Sequence, residues 1–147
     1  MCDPHSIFVK MEKSPATDFV VIDDEPMSIR ICEIVISRIF PEFDLQTFSD
    51  PEKGYQHLAT AYASADANNV IVFLDLMMPV MNGWQVLDKI NELPDEVKRR
   101  MNIYILSSSP DQADINRADE NPSVKKFIRK PLLINTLRKQ IDDGDFL

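Results

Sequence analysis

Three acids, a hydroxyl and a lysine each stand at the end of an apolar run in this chain. Asp23 and Asp24 follow Phe19-Val20-Val21-Ile22, and Asp75 follows Val70-Ile71-Val72-Phe73-Leu74. Ser107 follows Ile103-Tyr104-Ile105-Leu106, and Lys130 comes shortly after the run Val124–Ile128. Carboxylates brought together from two strand ends in a partly desolvated pocket repel one another strongly. Either some of them hold a proton or a divalent cation sits among them. Oxygen donors with no His or Cys beside them favour Mg²⁺ or a similar hard ion over zinc, and a small site with room for water and a phosphoryl group suits Mg²⁺ best. With such an ion the residue types suit phosphoryl transfer. A carboxylate is already ionised at neutral pH and can form an aspartyl phosphate without a general base. The cation neutralises charge on the transferring group. Lys130 adds a point charge to one oxygen, and the Ser107 hydroxyl can donate to another.

These residues meet only if the runs between them are strands of one parallel sheet. Phe19–Ile22 is a short, continuously apolar, β-branched run, as expected of a strand buried on both faces, Val70–Leu74 is the most apolar run and the best candidate for the central strand, and Val124–Ile128 is the last strand. Between them lie helical patterns. Pro26 sits at a first helical position, and Met27, Ile31, Ile34, Val35 and Phe40 share a face before Pro41 stops the helix. Leu45-Gln46-Thr47-Phe48 is a second strand. Ser49 or Asp50 caps the next helix, which carries Tyr55, Leu58, Ala59 and Tyr62. The turn Asp66-Ala67-Asn68-Asn69 precedes the central strand. Gly83 opens a helix facing inward with Val86, Leu87, Ile90 and Leu93, and Pro94-Asp95-Glu96 interrupts before the fourth strand. Ser107, Ser108 or Ser109 caps a polar helix around Asp111–Glu120, and the last helix faces inward with Leu133, Ile134, Leu137 and Ile141. The order βαβαβαβαβα predicts an α/β fold, a doubly wound five-stranded parallel sheet with helices on both faces. In such sheets the site lies beyond the carboxyl ends of the strands.

The chain has 147 residues, 44% hydrophobic and 27% charged, which suits one domain with its own core. We expect a flexible N-terminal tail over 1–17, apart from a patch at Ile7-Phe8-Val9, a folded unit over 18–142 and a short C-terminal tail over 143–147. The net charge of −8 disfavours nucleic-acid binding. No apolar run reaches membrane-spanning length and no signal-peptide core is present. The two cysteines, Cys2 and Cys32, read as reduced thiols, which suits a cytoplasmic protein.

With their neighbours, the same residues resemble the receiver domains of bacterial response regulators, over roughly residues 18–141. The resemblance is carried by Val20-Val21-Ile22-Asp23-Asp24-Glu25-Pro26, by Leu74-Asp75-Leu76-Met77-Met78-Pro79-Val80-Met81-Asn82-Gly83, by Ile105-Leu106-Ser107-Ser108 and by Phe127-Ile128-Arg129-Lys130-Pro131. Four motifs in this order and at compatible separations form a specific signal. The resemblance implies the flavodoxin-like strand order 2-1-3-4-5. It also implies Asp75 as phosphoacceptor, Mg²⁺ held by Asp24, Asp75 and the carbonyl of Met77, and Asp23 acting mostly through a water. Ser107 and Phe127 would be the movable switch residues, Lys130 the partner of the phosphoryl group, and Pro131 would follow a cis peptide. Implied partners are a histidine kinase or phosphotransfer protein as donor and an unknown downstream protein, with the chain a monomer or weak homodimer. With no output domain after Ile141, the message would leave by protein contact or by passing the phosphoryl group on. The chain would be no enzyme beyond its own phosphorylation and dephosphorylation.

Ser107 replaces the commoner threonine, Phe127 lacks a tyrosine hydroxyl, and the stretch between the second and third strands is a few residues longer than usual. Met77 occupies a position thought to influence dephosphorylation. Simpler roles compete residue by residue. Asp23-Asp24-Glu25 could complement a helix dipole, Asp75 could cap a loop, Lys130 could be a solvated lysine, and Phe127 could be plain core. His5 and His57 are expected on the surface, and Trp84 near the mouth of the site. Residues 121–141 contain six basic residues and no acidic one, which reads as a solvated edge or a partner surface. Three other functions compete. A small-molecule phosphatase acting through an aspartyl phosphate would place an acid at position 77. A flavodoxin-like cofactor binder would carry a Ser/Thr/Gly-rich loop after the first strand. A degenerate receiver used as a scaffold would lack the complete set of acids, hydroxyl and lysine.

Overall fold

The computed structural model describes residues 17–108 and 111–142. The expected tails before Thr17 and after Asp142, the patch at Ile7-Phe8-Val9, His5, Cys2 and a cap at Ser109 lie outside these residues. Five strands form one sheet: β1 (Thr17–Ile22), β2 (Leu45–Phe48), β3 (Asn69–Asp75), β4 (Met101–Ser107) and β5 (Val124–Arg129). All four pairings are parallel and the order is β2-β1-β3-β4-β5. Among the described residues there are six helices: α1 (Pro26–Ile39), α2 (Pro51–Ala61), α3 (Gly83–Asn91), α4 (Asp95–Lys98), α5 (Gln112–Glu120) and α6 (Ile134–Asp142). The parallel sheet is the one expected from the alternation of elements, and its strand order is the flavodoxin-like one that the resemblance implied.

The strands are buried in proportion to their place in the sheet. Val70 to Leu74 in β3 are fully buried, because helices cover both faces of a central parallel strand. One face packs Phe19, Val21, Phe73 and Tyr104 against Cys32 and Ile36 of α1 and Leu137 of α6. The other packs Val20, Val72, Leu74 and Ile103 against Leu58 of α2 and Val86, Leu87 and Ile90 of α3. The edge strands β2 and β5 are less apolar and only partly buried.

Several local expectations need correction. Thr17 is already in β1, paired with Asn69, so the sheet begins one residue inside the expected tail. In α1 the buried residues are Ser28, Cys32, Val35 and Ile36, whereas Met27 and Ile34 are exposed. At the last helix Leu132 is buried and Leu133 exposed, because the chain turns in toward the sheet one residue earlier than the helical period implies. Asp50, not Ser49, caps α2 by accepting a hydrogen bond from Glu52 N. Asp111, not a serine, caps α5 by accepting from Asp114 N at 2.8 Å. The interruption at Pro94-Asp95-Glu96 holds, since α3 ends at Asn91, but it carries a single-turn helix of its own, α4, with Pro94 at its N-cap.

Candidate functional site

At the level of the expected site the carboxyl end of β1 is tied to β2, that of β3 to β4, and that of β4 to β5. Asp23 N donates to Phe48 O at 3.0 Å, Leu76 N to Leu106 O at 3.3 Å, and Lys130 N to Ser107 O at 2.9 Å. Gly83 N donates to Leu76 O at 3.0 Å, closing the loop that follows Asp75. A Cβ at residue 83 would sit 2.6 Å from Asp75 O and 3.0 Å from Leu76 Cα, so only glycine lets α3 start this close to the end of β3. That start is fixed by a capping box: Asn82 Oδ1 accepts from Gln85 N, and Asn82 N donates to Gln85 Oε1.

The acids converge. Oxygens of Asp23, Asp24 and Asp75 all lie within 4.8 Å of one another. Lys130 Nζ stands 2.7 Å from Asp23 Oδ2 and 3.3 Å from Asp75 Oδ1. Asp23 Oδ1 also accepts from Glu25 N at 2.9 Å, and Asp75 Oδ1 from Met77 N at 3.3 Å. Asp23 and Asp75 are buried, and Asp24 is half-buried toward solvent. The set therefore has a closed inner side, sealed by Lys130, and an open side at Asp24.

Burial pushes the Asp75 carboxyl up to about 7, helped by the neighbouring Asp23 charge and opposed by Lys130 and the Met77 amide. For Lys130, burial pulls the pKa down, but the Asp23 and Asp75 carboxylates outweigh it and the net shift is upward. One ammonium facing three acids leaves excess negative charge. A divalent cation fits that excess: the donors are all oxygen, they are mutually close, and a cation would also let Asp75 ionise.

Ser107 is buried at the end of β4, and Phe127 is half-buried on β5, opposite Ile105 and packed against the Leu74–Val86 side of the core. The Lys130–Pro131 peptide is cis. Met77 is 69% exposed, so its side chain stands clear of the acids. Trp84, expected near the mouth of the site, bridges α3 to α5: its Nε1 donates to Asp114 Oδ1 at 3.2 Å, and Arg117 stacks on its ring at 4.4 Å. His57 is not free on the surface but half-buried, its ring centroid 5.0 Å from that of Phe48. The Asn82–Gln85 box was legible as an Asn three residues before a Gln. The Trp84–Asp114 bond, between residues 30 apart, left no local signal.

The sequence matches the response regulator receiver domain family over residues 19–142. This chain belongs to that family. Among solved structures, this receiver domain is similar to a response regulator receiver protein from Dyadobacter fermentans, at 28% identity and a TM-score of 0.78, covering 87% of this chain and 97% of that one. A two component response regulator from Cytophaga hutchinsonii shares the fold at 23% identity and a TM-score of 0.77, covering 88% of this chain and 96% of that one. A Scheffersomyces stipitis protein named Stress response regulator protein 1 is 26% identical over 93 residues, 63% of this chain. The receiver domain thus spans only 30% of that fungal protein's length. Among the described residues, no helix is long and apolar enough to cross a membrane.

Proposed function

We propose that this receiver domain, residues 18–142, is a phosphoacceptor switch in phosphorelay signalling, with Asp75 as the acceptor. The observation that carries this reading is the placement of one ammonium against two buried carboxylates, Lys130 Nζ lying 2.7 Å from Asp23 and 3.3 Å from Asp75, with Asp24 completing the acid cluster.

The donor is a phosphohistidine on a histidine kinase or phosphotransfer protein. An oxygen of Asp75 attacks phosphorus, the O–P bond forms, the P–N bond breaks, and the imidazole leaves with the electron pair. Asp75 is the nucleophile rather than Asp23 because both Asp23 oxygens are engaged, by Glu25 N and by Lys130. Asp75 directs both its Lys130 and its Met77 contacts to one oxygen, Oδ1. Asp24, Asp75 and the Met77 carbonyl would hold Mg²⁺, with Asp23 acting through water, and the ion would supply positive charge to the phosphoryl oxygens. Lys130 then turns from Asp23 toward the new phosphoryl group. Ser107, on the strand beside Asp75, donates its hydroxyl to another oxygen, and the half-buried Phe127 moves with it. The signal passes by protein contact to a downstream partner. The domain works in the cytoplasm, in keeping with the free buried thiol of Cys32.

The test is incubation with Mg²⁺ and acetyl phosphate followed by intact mass. We expect a gain of one phosphoryl group that is lost in base and absent in EDTA. No gain with Mg²⁺ present would overturn the reading.

A further inference from the structure

The end of the sheet opposite the acids holds a cavity of about 510 Å³, at the amino ends of β4 and β5. Its innermost lining residue on β4, Ile103, lies four residues before Ser107, roughly 13 Å along the strand. Lys98, Arg99 and Lys125 line it against one acid, Asp95. Lys98 is already committed, 3.3 Å from Asp95 and donating to Asn91 O. Arg99 and Lys125 have no ion pair among the described residues. Two uncompensated cations therefore face one concavity in a chain of net charge −8.

The backbone aims one of them. Between β4 and β5 the register steps from Ile103↔Val124 to Tyr104↔Lys126, so Lys125 is the extra residue of a β-bulge. A bulge redirects a side chain that regular alternation would place elsewhere, and bulges are frequent beside binding sites. Lys125 and Lys126 are accordingly both exposed, and Lys125 is the one on the cavity. Asn102 adds a neutral amide over an apolar floor that includes Met101, while the Ser123 hydroxyl on the rim is given to Asn91 Oδ1 at 2.7 Å. Size, concavity and a few convergent polar groups are those of a small-molecule site rather than of a flat protein interface.

We propose that this cavity binds a small phosphate monoester, its phosphate held by Arg99 and Lys125 and its organic part resting on the Met101 side. The guanidinium fork suits a phosphate bidentately, and the ammonium adds a point charge. The site is separate from Asp75 and does not depend on the phosphoacceptor reading.

The test is a titration of the ¹⁵N-labelled protein with AMP in EDTA, so that no metal draws phosphate to the acids. We expect amide shifts at residues 98–102 and 123–125 that saturate with a Kd of about 1 mM or tighter. Lys125→Ala and Arg99→Ala should each weaken binding at least about fivefold, while Lys126→Ala on the same strand leaves it within about twofold. Adenosine should not saturate. Away from the cavity, the amide spectrum of Lys125→Ala should overlay that of the wild type, showing that the variant is folded. Three results would overturn the proposal: shifts centred on residues 23, 24 and 75, no saturation, or equal competition by citrate.

Discussion

Lys130 Nζ lies closer to Asp23 than to Asp75, 2.7 Å against 3.3 Å. In the metal-free protein the lysine is thus chiefly the counter-ion of Asp23, and Asp75 shares what remains. Burial pushes the Asp75 carboxyl up to about 7 and the Asp23 charge adds to it, while the lysine, held nearer Asp23, only partly offsets them.

Removing that lysine should expose the cost of the cluster. Lys130→Met leaves two buried carboxylates without a cation, and breaking such a group typically costs about 3 kcal/mol. Urea unfolding in EDTA should show a loss of that order at pH 8 and a smaller one at pH 5.5, where the carboxyls can take up protons instead. An equal loss at both pH values would mean that Lys130 acts by packing alone.

The upward shift of Asp75 fixes the sign of a pH dependence. Between its ordinary value of 3.8 and about 7, the native state holds a proton that the unfolded chain has released. The Asp75 contribution to metal-free stability is therefore present below pH 4 and lost as pH rises to 7. Mg²⁺ must displace that proton, so the rise in Tm on adding Mg²⁺ should grow from pH 5.5 to about pH 7.5 and then level off. Thermal scans with and without Mg²⁺ across this range check it. A Mg²⁺ effect independent of pH would contradict the Asp75 assignment.

Gly83 supports the site by lacking a side chain. A methyl there would meet the backbone of Asp75 and Leu76, atoms that cannot yield without moving the acceptor. Gly83→Ala should cost about 1–3 kcal/mol and slow phosphorylation by acetyl phosphate. A variant of wild-type stability and rate would show that the close start of α3 is not needed.

Cys32 should be chemically silent in the native fold. Burial, with Asp23 nearby, pushes its thiol up to about 12, although Lys130 opposes. At pH 8 the thiolate fraction is then on the order of 10⁻⁴. In a Cys2→Ser background, a disulfide reagent should label Cys32 in urea and leave it untouched without urea. Rapid labelling of the native protein would place Cys32 outside the α1 core.

Much of this was legible in the sequence, for identifiable reasons. The strands were readable because central parallel strands are apolar without interruption, as in Val70–Leu74. The acids, Ser107 and Lys130 were readable because they stand where those runs stop. Burial on α1 was not: period alone cannot say how wide a stripe the sheet covers, and Met27 and Ile34 fall outside it. Three serines in a row concealed that Asp111 has the better-placed oxygen for capping α5. The Lys125 bulge and the Trp84–Asp114 bond depend on register and on contacts between distant residues. Neither leaves a periodic trace.

The central claim is that Asp75, and not its acidic neighbours, takes the phosphoryl group. The direct measurement is borohydride reduction of the acetyl phosphate-treated protein, followed by peptide mass spectrometry. An acyl phosphate is thereby converted to homoserine at the position that carried it. The account predicts homoserine at position 75 alone, and none anywhere in Asp75→Asn. Homoserine at position 23 or 24 in the wild-type protein, or undiminished phosphorylation of Asp75→Asn, would contradict it.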